Sequence, residues 1–169
     1  MNKIFITNFI LISFLSIFIT RFIPHPPNFT STIAIIFYLP ALFGYKFLAV
    51  AFTAFIISDL IIGMHHLIFF TWGSLLIIGL LSRHLNNYYY RIFGIIFSCF
   101  LFFIITNFGF WLLSDIYSKD YEGLLTCYFM ALPFLQNSLL GSLIVSIVIE
   151  VVLTLNNSKA FIKRVNTSF

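Results

Sequence analysis

Charge is what this sequence has least of. Only 8% of its 169 residues are Asp, Glu, Lys or Arg, 61% are hydrophobic, and the mean hydropathy is +1.07. An ordinary soluble domain carries about a quarter of its residues charged, so a soluble enzyme is excluded. Cysteine is nearly absent: Cys99 and Cys127 are the two, with no CxxC pair, which removes both a redox motif and a disulfide framework. Glycine is scarce at 8 residues, and no GxSxG, HExxH or P-loop occurs, nor the Gly-Asp pair of an intramembrane aspartyl protease. The chain therefore reads as no enzyme, and no cofactor is implied. Short alternating segments of about ten residues, the mark of a membrane β-barrel, are missing too.

What is present is a series of long apolar runs. A roughly 30 Å hydrocarbon core takes about 20 helical residues per crossing, so the length admits about six helices and no separate globular domain. The first run, Ile4 to Ile23, has the basic start of a signal peptide, but Arg21-Phe22-Ile23-Pro24-His25 offers no small residues for a signal peptidase, and the run is read as a retained helix. Pro24, Pro26 and Pro27 make His25 to Thr30 a stiff extended loop. Ser31 to Phe43 is too short to cross alone and is expected to borrow loop residues or stay shallow. Further spans are read at Phe47 to Ile62, Leu67 to Ser82 and Ile92 to Leu113. Pro133 divides the last apolar region into a short interfacial helix, Gly123 to Leu132, and a sixth span, Gln136 to Leu155. The expected fold is all-α: a single six-helix transmembrane bundle, residues 1–169, with both termini inside.

Charge placement supports this count. A cytoplasmic N-terminus puts Lys3, Lys46, Arg83, Arg91, Lys159, Lys163 and Arg164 inside, and only Arg21 and Lys119 outside. That is the positive-inside pattern. Asp59, Asp115, Asp120 and Glu122 then fall at the outer side. The net charge of +4 reflects this sorting and is no nucleic-acid footprint.

Polar side chains are costly inside a bilayer and tend to face the bundle interior or a watery cavity. Here they gather at the outer end. Arg21 closes the first helix, His25 and Asn28 sit in the following loop, and Asp59 lies near the end of the third span with His65 and His66 just beyond. Trp72 is one to two turns into the fourth, Asn107 and Trp111 occupy the outer half of the fifth, and Gln136 and Asn137 open the sixth. The expectation is an outward-facing pocket in which Arg21 and Asp59 supply charge, the amides orient a small solute, and the tryptophans stack on it. An Arg21 to Asp59 pair that only locks helices together is the competing reading. The 24 phenylalanines carry little weight, because a compositional bias explains them equally well. His25, His65, His66 and Cys127 share this end, but their spacing fits no metal motif, and no metal site is expected. At the inner half Glu150 stands apart, with Ser146 and Thr154 one turn away and Lys159 toward the surface.

The segments Arg21-Phe-Ile-Pro-His-Pro-Pro-Asn-Phe-Thr30, Ser58-Asp-Leu-Ile-Ile-Gly63, Thr106-Asn-Phe-Gly-Phe-Trp111 and Gly123-Leu-Leu-Thr-Cys-Tyr128, with Pro133-Phe134 and Leu139-Leu-Gly141, resemble an uncharacterised family of small bacterial membrane proteins. That family is similar in turn to the S components of energy-coupling factor (ECF) vitamin transporters. The resemblance implies a bacterial inner-membrane protein that captures a vitamin-like solute outside and hands it to a membrane coupling protein driven by two ATPases. One departure is plain: S components often carry small residues at four-residue spacing in the first helix, whereas Phe9 to Thr20 has only Ser13 and Ser16. The competing class is a scaffold similar to MreD of the cell-wall machinery, which binds proteins and needs no converging polar pocket.

Overall fold

The computed structural model describes residues 3–85 and 87–166, with residues 157–166 by backbone alone. The described residues form seven helices and no strand: α1 (Lys3–Phe22), α2 (Thr32–Phe43), α3 (Lys46–Ile62), α4 (Ile68–Ser82), α5 (Tyr88–Leu113), α6 (Tyr121–Met130) and α7 (Leu132–Asn166). Three stretches, Lys3–Phe22, Tyr88–Leu113 and Leu132–Asn156, are long and apolar enough to cross a membrane, and they mark this as a membrane protein.

The helices begin and end where the local chemistry says they must. α2 and α3 each stop at a glycine with positive φ, Gly44 at 100° and Gly63 at 122°. Their N–H groups return to the carbonyls of Pro40 and Asp59. Asn87 caps α5, and Asp120 caps α6 by accepting from the Gly123 N–H at 2.7 Å. The last apolar region divides into a short and a long helix as expected, but the break falls at Ala131 and not at Pro133. Pro133 is the second residue of α7, in a first turn whose N–H groups have no intrahelical partner to lose.

The largest departure from expectation is α2. Its 12 residues rise only about 18 Å, yet ten of them are buried, because α1, α3, α4, α5 and α7 wrap around it. Phe37, Tyr38, Ile36 and Leu39 are the centre of the core, and α2 is its axis, not a shallow segment. Small residues let neighbours approach this axis. A Cβ on Gly94 would stand 2.7 Å from the Phe37 ring, and buried Ser74, Ser82, Ser98 and Ser146 satisfy their hydroxyls on carbonyls of their own helices. α6 lies across α5 and α7 at the end where the α1–α2 and α3–α4 loops also sit.

Candidate functional site

The α1–α2 loop is built as a fixed roof. The Phe29 N–H donates to the Pro26 carbonyl at 3.0 Å, and Asn28 holds a φ of 65°. With Pro27 locked near −65° and Asn28 left-handed, this is a type II turn, and Asn is among the few side chains that tolerate that position. α7 holds the roof down. Asn137 Nδ2 donates to the Pro27 carbonyl at 3.0 Å, and a Cβ on Gly141 would meet the Thr30 backbone at 3.2 Å.

Beneath this loop lie two adjoining cavities. The first encloses 280 Å³ between the loop and α1, α2, α3, α4, α5 and α7, and its polar wall includes Arg21, His25, Asn28, His65, Thr71 and Ser138. The second, of 220 Å³, runs toward α6 and is walled by Leu67, Phe110, Met130 and Phe134, with Thr106 and Asn107 as polar members. Asn28, Thr71 and Phe102 belong to both walls.

Behind the first cavity, Asp59 is 1% exposed and fully engaged. Its Oδ1 accepts from the Arg21 guanidinium, and its Oδ2 accepts from the Trp72 indole N–H at 2.7 Å. Arg21 lies over the Phe55 ring, 4.3 Å from its centroid. Phe52 packs edge-on against Trp72. Three helices, α1, α3 and α4, are thereby joined by one carboxylate.

The structure sorts the residues singled out from the sequence. Arg21, His25, Asn28 and His65 line the first cavity, and Asn107 the second. Asp59 and Trp72 were expected to meet the solute, but they stand behind the wall and position Arg21. His66 and Gln136 are exposed and belong to neither cavity. Asn137 is committed to the loop. Trp111 stacks on no cavity: its indole N–H donates to the Ser118 carbonyl at 2.8 Å, and the Lys119 ammonium holds the Trp111 and Ser114 carbonyls, which fixes the loop between α5 and α6. The Asp120 carboxyl in this loop is held below its usual range, chiefly by the Gly123 N–H and then by the Ser118 hydroxyl. Thr32, Thr71, Thr106, Ser138 and Phe102 went unnoticed in the sequence, where a threonine or serine in an apolar run reads as one bonded to its own helix; Thr71 and Thr106 do make that bond, to the Leu67, Ile68 and Phe102 carbonyls, and line the cavities as well. Among the described residues no three His, Cys, Asp or Glu side chains converge as a metal site would require.

A second polar cluster lies toward the opposite end. Both oxygens of Glu150 accept from Arg91, Oε1 from Nε at 2.6 Å and Oε2 from Nη2 at 2.8 Å, and the Tyr38 hydroxyl donates to Oε1 at 2.9 Å. Of the neighbours read for Glu150, the Thr154 hydroxyl bonds the Glu150 backbone carbonyl and the Ser146 hydroxyl bonds the Ser142 carbonyl, while the Lys159 side chain lies outside the described residues. Arg91, expected to mark a cytoplasmic loop, joins α5 to α7 and α2.

Both clusters fall within the stretch, residues 2–164, that matches the model of the Family of unknown function (DUF6580). The chain belongs to that family. No curated protein and no solved structure matches it. In this DUF6580 chain the match runs from α1 through most of α7, so the residues of the roof loop, the two cavities and both ion pairs lie within the matched stretch.

Proposed function

We propose that this DUF6580 protein is a bundle of six membrane spans, with α6 at the interface, that captures a small solute from the outer side. The carrying observation is the pair of adjoining cavities under the roof loop, both of mixed polarity, with Arg21, His25 and His65 lining the first and Phe102, Phe110 and Phe134 lining the second. At 280 and 220 Å³ they suit one small molecule, since ligand pockets run from about 300 to 1,000 Å³. The sorting of basic residues supports the orientation, because it turns the roof loop outward. α2 can be short because protein surrounds it, which leaves none of its backbone facing lipid. The resemblance to S components extends the reading to delivery: the loaded protein hands its solute to a membrane coupling protein driven by two ATPases.

Thr71, on the wall common to both cavities, is the place to test this. In a background free of Cys99 and Cys127, Thr71→Cys should react with a membrane-impermeant maleimide in intact cells, and the blocked protein should hold no solute. Reaction only in inverted vesicles, or in neither preparation, would overturn an outward-open site.

A further inference from the structure

Both cavities have walls of mixed polarity, but basic side chains line only the first, and that difference specifies a ligand. Every charged or titratable side chain lining the first cavity is a base: Arg21, His25 and His65. Among the described residues no Asp or Glu lines it. The one carboxylate nearby, Asp59, is sealed behind the wall with an N–H donor on each oxygen, so it has no lone pair exposed to greet a cation. The Arg21–Asp59 pair is neutral as a whole, yet Arg21 is the member that lines the cavity.

That guanidinium is fixed in place. Asp59 takes one of its nitrogens, and the Phe55 ring lies against its plane. Guanidinium carries five N–H donors in a rigid fork. Among the described residues Asp59 is the one hydrogen-bond partner Arg21 has, which leaves donors of the fork for a solute in the cavity that Arg21 lines. Asn28 and Ser138 line the same space, and Ser138 is 2% exposed. A planar fork with flanking neutral donors is the arrangement that recognises a carboxylate or phosphate. The second cavity offers Phe102, Phe110 and Phe134 with Leu67 and Met130, beside the neutral polar Thr106, Asn107 and Tyr117, and among the described residues no charged side chain lines it. Since the two share a wall, one molecule can occupy both.

We propose that the solute is a small organic anion, with its acidic group in the first cavity against Arg21 and a flat apolar body in the second. This inference rests on the capture reading and names the class of solute. The test uses the purified full-length protein in neutral detergent and three probes of one shape and different charge: hydrocinnamate, hydrocinnamamide and phenylpropylamine. Thermal protection is titrated with each. Hydrocinnamate should protect at concentrations about tenfold or more below the other two, the scale of a charge-assisted hydrogen bond. The preference should vanish in the double variant Arg21→Gln/Asp59→Asn, which removes both charges together and keeps the shapes. Should that variant not fold, Arg21→Lys keeps the ion pair and loses the planar fork, and should bind hydrocinnamate about tenfold more weakly. Equal or better protection by the amide or the amine would overturn the anion and leave capture standing. Protection by phosphatidylglycerol micelles without protection by hydrocinnamate would overturn it in favour of a lipid headgroup. Protection by none of the probes would also overturn it, and capture would then stand or fall on whether a molecule co-purifies.

Discussion

Replacing Glu150 by Gln tests whether the second ion pair is truly out of water. The carboxylate takes both nitrogens of one Arg91 edge and the Tyr38 hydroxyl, and the two charged side chains are 13% and 9% exposed. Glutamine keeps the shape and can accept from one Arg91 nitrogen, but it takes the carboxylate charge away from a guanidinium that is 13% exposed. Breaking a buried pair from one side costs about 3–5 kcal/mol, and the retained hydrogen bond puts this case near the lower figure. For a chain of this length about 3 kcal/mol corresponds to a fall in Tm of roughly 6–12 °C. Removing both charges, as Arg91→Met/Glu150→Leu, should cost less than Glu150→Gln, because the group left without its acceptor is then the neutral Tyr38 hydroxyl and not a charge. Tyr38→Phe removes one hydrogen bond and should cost about 1 kcal/mol. The assay is loss of the monodisperse peak on size exclusion after heating in detergent. A Glu150→Gln variant as stable as its parent, or a double variant worse than the single, would refute the buried pairing.

Other substitutions probe the roof and its supports. Asn28→Gly should leave the loop intact, whereas Asn28→Ala should lose about 1–2 kcal/mol to the left-handed backbone; thermal unfolding of the two variants separates them. Gly141→Val should force α7 and the Thr30 backbone apart, since even a Cβ there stands at 3.2 Å. The expected readout is faster maleimide reaction of Thr71→Cys in the same protein. Asp120 has its carboxyl held low by the Gly123 N–H, so its contribution to α6 is present above the ordinary carboxylate range, about pH 4, and is lost as pH falls through the depressed value. Hydrogen exchange should show the first α6 amides losing protection on acidification, and Asp120→Asn should flatten that dependence.

Much of the helix layout was legible because the apolar runs are punctuated by residues with strong local rules. Gly44, Gly63 and the Pro24 to Pro27 cluster end or forbid helices without help from tertiary structure. The place of α2 was not legible. A helix that is apolar all round looks the same whether lipid or protein surrounds it, so its pattern could not distinguish a shallow segment from the axis of the bundle. The polar residues gathered at one end as read, but their individual roles needed the fold. Asp59 sits inside an apolar run, which signals a committed partner without saying whether the partner is solute or protein. Arg91 and Glu150 are 59 positions apart, and the positive-inside rule gave Arg91 a sufficient explanation already. Thr71 and Ser138 carry no signal at all until α4 and α7 are brought under the same loop.

The most direct measurement of the central claim is mass spectrometry on the protein gently purified from its own membranes, compared with Thr71→Trp, whose indole fills the junction of the two cavities. The account predicts a small molecule at one per protein, retained through purification and lost in Thr71→Trp while the variant remains folded. An empty parent protein that instead brings cell-envelope proteins with it would contradict capture and assign the bundle to a scaffold.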